Sequence, residues 1–498
     1  MKNSVAFLAL FLLIVNIIVW QSYPNFAAWQ TGLVIILLIA ICIAFFYWVK
    51  KNPLAGSAFV TLLLLAGVLL RIAYLSDTPF SVRSQDAQGH LDYVNYIAQH
   101  RSLPKAGDCW QCYHPPLYYL AVSPICMAFS CQGTAVLLLQ LASLIFDFGF
   151  LYFGIKLLRL LLPTKTDDLY FRLAAALLIF WPSGIINSVR IGNDSLLYFL
   201  MACGLYFITL WFINEKAYNL WLSAVFLVLS LFTKANGLIL FGVVGFVMLI
   251  KFLKSPNKKK IFLTGLKIFL LISFFFSLLF LQPTPNQNSV KTGNLLVANA
   301  GSLSGLLRVG NKLANYITFD AKDYFRNVFN DPWSDSGGRQ YFSNALLKTS
   351  LFGEFSFWQD FLKKAASLEN YFFLFLLCLI GIGMIFSIVD LFNFLRKKIS
   401  EFPINLLIAP IALTFIIAIL IFRYLYPFSC SNNFRYIYPI TIYISAAAAY
   451  CVHRIRQVSL YKTRTVANSL KLAAMTGEAT IYLFITTSVI FFIGLAIL

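Results

Sequence analysis

The stretch "LLRIAYLSDTPFSVRSQDAQGHLDYVNYIAQH" (residues 69–100) changes character part-way along. Its opening residues close an apolar run that begins near residue 57. Its second half carries acids, imidazoles and apolar residues at helical spacing. A helix that crosses a bilayer needs roughly 20 apolar residues. A polar helix directly after such a run sits at the membrane surface. The stretch therefore reads as the exit of a transmembrane helix leading into a surface helix, and the rest of the chain repeats the alternation of long apolar runs and short polar gaps.

Composition agrees with that reading. Hydrophobic residues make up 60% of the 498 and charged residues only 12%, about half the charge of an ordinary soluble domain. A net charge of +20 would suit nucleic acid on a soluble scaffold. Here the Lys and Arg lie in gaps between apolar runs, which is the positive-inside distribution of a membrane protein.

The sequence predicts an all-α polytopic membrane protein with about thirteen spans: 5–21, 31–49, 57–75, 134–158, 171–190, 195–213, 219–233, 236–253, 261–281, 370–392, 404–424, 434–452 and 477–497. No small-residue cleavage site comes after the first run, so Met1–Gln21 is expected to be an uncleaved span. Alternate gaps are basic. They hold Lys50 and Lys51, then Lys156, Arg159, Lys165 and Arg172, then Lys216, "KFLKSPNKKK" (251–260), Arg396–Lys398 and "HRIRQVSLYKTRT" (453–465). Placing all of them in the cytoplasm puts the N-terminus inside and the C-terminus outside. It also requires "PPLYYLAVSPICMAFS" (115–130) to lie in the outer interface as a short helix.

Two large loops then fall outside, 76–133 and 282–369. The second is polar yet aromatic, with Trp333 and Trp358, and reads as folded or membrane-skimming. The expected organisation is two N-terminal helices (1–56), a core with both outer loops (57–452), and a basic segment with the last helix (453–498).

Polar residues gather on that outer side. Ser84 is placed to cap a helix ending near His100, with Asp86 in its first turn and His90 and Tyr93 on the same face. The helix N-terminus favours an ionised Asp86, which can act as a general base or hold a hydroxyl or a metal; a capping Asp beside a surface His is the plainer alternative. "YHPPLYY" (113–119) is a rigid helix entry that either stiffens the loop or holds Tyr113 and His114 beside Asp86. "RIGNDSLLYF" (190–199) brings Arg190, Asn193 and Asp194 to an outer turn. "LFTKANGLIL" (231–240) brings Lys234, and "NNFRYIYP" (432–439) brings Arg435. Each cation alone could be snorkelling from a helix end. As a set on one face they call for an anion, and a lipid phosphate fits because Arg grips it through two hydrogen bonds.

"DAQGHLDY", "YHPPLYY", "NDSLL", "TKANG" and "FRYIYP", in that order over roughly 57–452, resemble the GT-C superfamily of membrane glycosyltransferases, in particular its protein O-mannosyltransferase and lipid A aminoarabinose transferase branch. The resemblance implies a polyprenyl-phosphate sugar donor and a lipid, glycan or protein acceptor on the outer face of a membrane, here a bacterial inner membrane with a periplasm-facing site. It implies that Asp86 is the catalytic base of an inverting transfer, with His90 beside it. It also implies that Lys234 and Arg435 bind the donor phosphate, and that Tyr113, His114, Arg190, Asn193 and Asp194 line the cavity. Many relatives have an Asp-Glu pair where this chain has Asp86-Ala87; His90 and His114 are the residues that could supply part of what that Glu does. No cofactor is implied, and no metal ligand set is evident. No P-loop or dinucleotide fingerprint is present for a nucleotide donor.

A lipid-linked sugar flippase is the alternative from another class, and an O-antigen ligase or polymerase a third. A transporter would carry mid-membrane ionisable groups in two related halves. Asp147, in "LIFDFGF" (144–150), is the main mid-span acid, and it suits either an interhelical hydrogen bond or a proton relay. Among nine Cys, Cys42, Cys203, Cys378 and Cys451 fall in spans. Cys109, Cys112, Cys126, Cys131 and Cys430 lie outside, where disulfides form. The alternatives for "CWQC" (109–112) are a zinc site with His114 and a redox pair.

Overall fold

A computed structural model of the chain describes residues 58–84, 86–162, 169–281, 303, 305–334, 338–396 and 404–497. The described residues are helical throughout, apart from turns and one isolated antiparallel bridge, Arg308 to Phe428. The helices are α1 (Ala58–Ser76), α2 (Ala87–His100), α3 (Leu117–Phe129), α4 (Thr134–Leu161), α5 (Leu169–Ile179), α6 (Pro182–Ser188), α7 (Asp194–Asn214), α8 (Ala217–Thr233), α9 (Leu238–Lys254) and α10 (Lys258–Leu281). Then come α11 (Ala314–Ile317), α12 (Ala321–Arg326), α13 (Phe342–Phe352), α14 (Asp360–Arg396), α15 (Ile408–Leu425), α16 (Thr441–Ser459) and α17 (Arg464–Ile497).

Seven helices are long and apolar enough to cross a membrane, or eight if α5 and α6 form one bent span. The chain is a polytopic helical membrane protein. About thirteen spans were expected; those at 5–21 and 31–49 lie outside the described residues. The 261–281 run forms part of α10, which is not among the seven, and three other expected spans take different forms. The 219–233 run is the 17-residue α8. The 434–452 run enters as a 3-10 segment, Phe434–Ile440, kinked at Ile437, and continues as α16 into a basic end. The 171–190 run is broken, with a bend of 48° between α5 and α6.

Pro182 explains the break. It has no N–H for the helix ladder, and it forces Trp181 into extended backbone. In a bilayer the freed carbonyls must find donors inside the protein. Arg71 Nη1 donates to the Ile179 carbonyl at 2.9 Å, and Ser488 Oγ to that of Phe180 at 2.7 Å. The Arg71 Nε donates to Asp147 at 2.7 Å, and both side chains are buried. Asp147 is thus an ion-pair partner that anchors the residue capping a broken helix, in keeping with the structural alternative for it.

The centre of the bundle is α16, whose first twelve residues are buried. It packs on α14, α17, α15 and α5. Its approach to α14 is close: a methyl group on Gly383 would lie within 2 Å of the Ala447 carbonyl oxygen.

The two long segments expected to lie outside, 76–133 and 282–369, are folded where described. Residues 115–130 form the 13-residue α3, too short to cross a bilayer. It packs against α2 around Tyr93, Val94, Ile97, Tyr119 and Val122, and this small core continues into Ile191 and Leu196. In the second segment a buried Lys348–Asp323 pair at 2.7 Å joins α13 to α12, with Asn344 bonded to both Asp320 and Asp323.

Candidate functional site

The ends of several helices and the segments that join them enclose a cavity of about 680 Å³. Six of the nine residues singled out from the sequence line it: Asp86, His90, Tyr113, His114, Lys234 and Arg435. Arg190, Asn193 and Asp194 stand behind that lining. Arg190 bonds Asn187 and stacks over Phe355; Asn193 donates to the Thr233 carbonyl; Asp194 grips Lys234.

Asp86 departs from the expected geometry. It is the residue immediately before α2, not part of its first turn, and Ser84 is not the cap. Its backbone is left-handed, φ 57°, and its carboxylate makes no capping bond. That conformation costs on the order of 1 kcal/mol even for Asp, one of the few residue types that visit it. Freed from capping, the carboxylate accepts a hydrogen bond from Trp110 Nε1 at 3.3 Å and faces Arg435 at 3.6 Å. Burial raises the carboxyl's pKa, but the charge of Arg435 leads the effects that outweigh this and hold it below the usual carboxylate range. Asp86 is an anion at neutral pH.

Arg435 is held through its backbone and through one face of its guanidinium. Its backbone N–H donates to Asn433 at 2.9 Å, and its carbonyl accepts from Tyr198 at 2.6 Å. The guanidinium lies over Tyr436, 5.1 Å from the ring centre. Lys234 sits in extended backbone between α8 and a 3-10 turn, Ala235–Gly237. The turn requires Gly237: a methyl group there would lie 2.7 Å from the Ser230–Leu231 backbone. This is the structural content of "TKANG". Lys234 Nζ meets Asp194 Oδ1 at 2.5 Å, with the two side chains 8% and 15% exposed.

His90 is buried. Its Nδ1 shares a 2.8 Å hydrogen bond with Tyr119, and its ring stacks parallel to His114. Burial pushes its pKa down to about 3 and that of His114 well below the usual value. Both are neutral imidazoles at physiological pH, so neither carries the charge of a second acid.

A second carboxyl is nevertheless present. Glu354 lines the same cavity. It comes directly after Gly353, which ends α13 at φ 64° in a conformation that favours glycine. Burial raises the Glu354 carboxyl to about 7, opposed by Arg435 and a hydrogen bond from Asn433. Sequence reasoning missed it. The available signal was modest: it is the one acid between Asp335 and Asp360, set after a Gly in the aromatic run "LFGEFSFW" (351–358).

Disulfides Cys109–Cys112 and Cys126–Cys131 lie in the 76–133 segment. The first closes the turn that carries Trp110 and Gln111, both cavity residues. It consumes the thiols that the zinc alternative needed. Cys430 is a free thiol. Among the described residues no group of three or more His, Cys, Asp or Glu is arranged to hold a metal ion.

The cavity lining is of two chemical kinds. Asp86, His114, Lys234, Glu354 and Arg435 form a polar head. Leu238, Ile239 and Gly242 of α9, with Ile417, Ile421 and Phe422 of α15, form an apolar trough. Both helices are among the candidate membrane spans. Such a site can hold an anionic head group while an attached hydrocarbon chain lies along the trough. No family model, curated protein or solved structure matches the chain.

Proposed function

We propose that the chain is a GT-C-type membrane glycosyltransferase that moves a hexosyl or pentosyl group from a polyprenyl-phosphate donor to a lipid, glycan or protein acceptor. The observation that carries this reading is the joining of a cationic polar head to an apolar trough between α9 and α15. A lipid phosphate needs both parts in that order, whereas a soluble sugar nucleotide needs no trough.

The head supplies the groups for the chemistry. An acceptor hydroxyl or amine attacks the anomeric carbon from the face opposite the phosphate, with inversion. Asp86, an anion at neutral pH, takes the acceptor's proton. The bond from anomeric carbon to phosphate oxygen breaks, and its electron pair leaves with the lipid phosphate. Arg435 and Lys234 stabilise that growing charge. Trp110 and Arg435 hold the Asp86 carboxylate in place. In this reading thirteen spans, with the N-terminus in the cytoplasm and the C-terminus outside, set the cavity on the periplasmic face of a bacterial inner membrane.

The test is transfer of labelled sugar from polyprenyl-phosphate donors in proteoliposomes. Asp86→Asn is expected to lower the rate about 10²–10⁴-fold, the range for removing a general base, while the protein remains folded. Transfer by Asp86→Asn at the wild-type rate would remove Asp86 from the mechanism.

A further inference from the structure

Three carboxyls line the cavity: Asp86 has a role in the chemistry above, Asp331 is exposed to solvent, and Glu354 is set among the other charges of the head, whose balance gives it a role. Three cations, Arg190, Lys234 and Arg435, and three carboxyls, Asp86, Asp194 and Glu354, form one electrostatic cluster in which Arg435 interacts with each of the other five. Asp194 is held by Lys234 and Asp86 faces Arg435. With Glu354 ionised the six charges cancel and the head offers an anion no net attraction. With Glu354 neutral, three positive charges face two negative ones. The single excess positive charge matches a phosphodiester, which carries one negative charge.

We propose that Glu354 serves the polar head as a neutral carboxylic acid, donating a hydrogen bond to a phosphodiester held by Arg435, and that its ionisation closes the head to that anion. The proposal rests on the lipid-phosphate reading of the cavity and names the residue that sets its charge.

The groups facing Glu354 from each neighbouring element leave it as the titrating one. Asn433, Arg435 and Tyr436 approach from the 3-10 segment and the residue before it, Cys430 from the turn ahead of that segment, Asp86 from the start of α2, and Arg190 from the turn after α6. Asp86 is held below the usual carboxylate range, the Cys430 thiol is pushed up to about 12, and burial raises the Tyr436 phenol. The two imidazoles of the lining, His90 and His114, are held low and stay neutral. Burial, with Asp86's charge added, brings Glu354 to about 7, opposed by Arg435. A group raised in this way is protonated below that pH and ionised above it, so the head favours the anion on the acidic side and loses it as pH rises through 7.

The experiment measures binding of a short isoprenyl methyl phosphodiester, whose single charge does not titrate near neutrality, to the purified full-length protein in detergent. Wild-type affinity is expected to weaken as pH rises from about 5.5 to about 8.5, approaching tenfold per unit above the midpoint. Glu354→Gln, which keeps shape and hydrogen-bonding capacity, is expected to hold the acidic-side affinity across the range. Glu354→Asp keeps a titrating group and is expected to keep a pH-dependent profile. Wild-type binding that is flat with pH, a Gln variant that tracks the wild-type profile, or an Asp variant without one would each overturn the role of Glu354 and leave the lipid-phosphate reading standing. Wild-type protein that binds no diester at any pH would overturn that reading and the role of Glu354 with it.

Discussion

The Lys234–Asp194 pair provides a test in which position and charge can be separated. The two groups meet at 2.5 Å with side chains 8% and 15% exposed. Coulomb's law at that distance, with an effective dielectric of about 20, gives about 7 kcal/mol of raw attraction. Desolvation takes back several kcal/mol for each ion, so the net worth of the pair is far smaller. Removing one partner leaves the other buried and unmatched, at about 3–5 kcal/mol. Asp194→Asn and Lys234→Met are each expected to destabilise the fold by that amount. The double variant is expected to fall within about 1 kcal/mol of wild type, because no buried charge is left unpaired. SDS-induced unfolding in mixed micelles measures all four proteins. Transfer activity is expected to stay lost in the double variant, since the phosphate has lost a cation. Single variants costing under about 1 kcal/mol, or a double variant costing the sum of the singles, would refute the reasoning about burial. A stable double variant with full activity would remove Lys234 from the donor site.

Three further outcomes are expected. Replacing Cys109 and Cys112 together by Ser opens the turn that holds Trp110 against Asp86, and transfer should fall more than thermal stability does; unchanged transfer would show the disulfide to be irrelevant to the site. Gly383→Ala forces α14 away from the Ala447 carbonyl and should cost about 1–3 kcal/mol or more, as overpacking does; a variant as stable as wild type would contradict the close approach of α14 and α16. An engineered thiol at Ser334 should react with an impermeant reagent in intact cells once the outer envelope is permeabilised, and labelling only after lysis of the inner membrane would reverse the proposed orientation.

Local sequence determined a good deal of this protein. Most of the long apolar runs among the described residues form helices long enough to cross a bilayer, because each such helix satisfies its own backbone. The position of α2, the short α3, the turn that carries Lys234 and the place of Arg435 at the start of its segment were all legible for that reason. So was the gathering of Asp86, Tyr113, His114, Lys234 and Arg435, since a membrane reduces the geometry to which side each turn is on.

What only the tertiary structure decided depends on neighbours distant in the chain. The 171–190 run was expected to be one span; it breaks at Pro182, and it can do so inside the bundle because Arg71 and Ser488, far away in sequence, supply donors to its carbonyls. The spacing of Asp86 suggested a capping carboxylate; a left-handed backbone and the approach of Trp110 and Arg435 turned it into the cavity. His90 was legible as a neighbour of Asp86 but not as a neutral ring, because its state comes from burial against Tyr119 and His114. Glu354 was hidden altogether. A lone acid in an aromatic loop has no periodicity or motif to mark it, and its importance arises only when folding sets it beside Arg435, Asn433 and Asp86. Sequence decides which segments enter the membrane because that depends on local hydrophobicity. The charge state of a buried group depends on the sum of fields from residues hundreds of positions apart, and only the folded chain sets that sum.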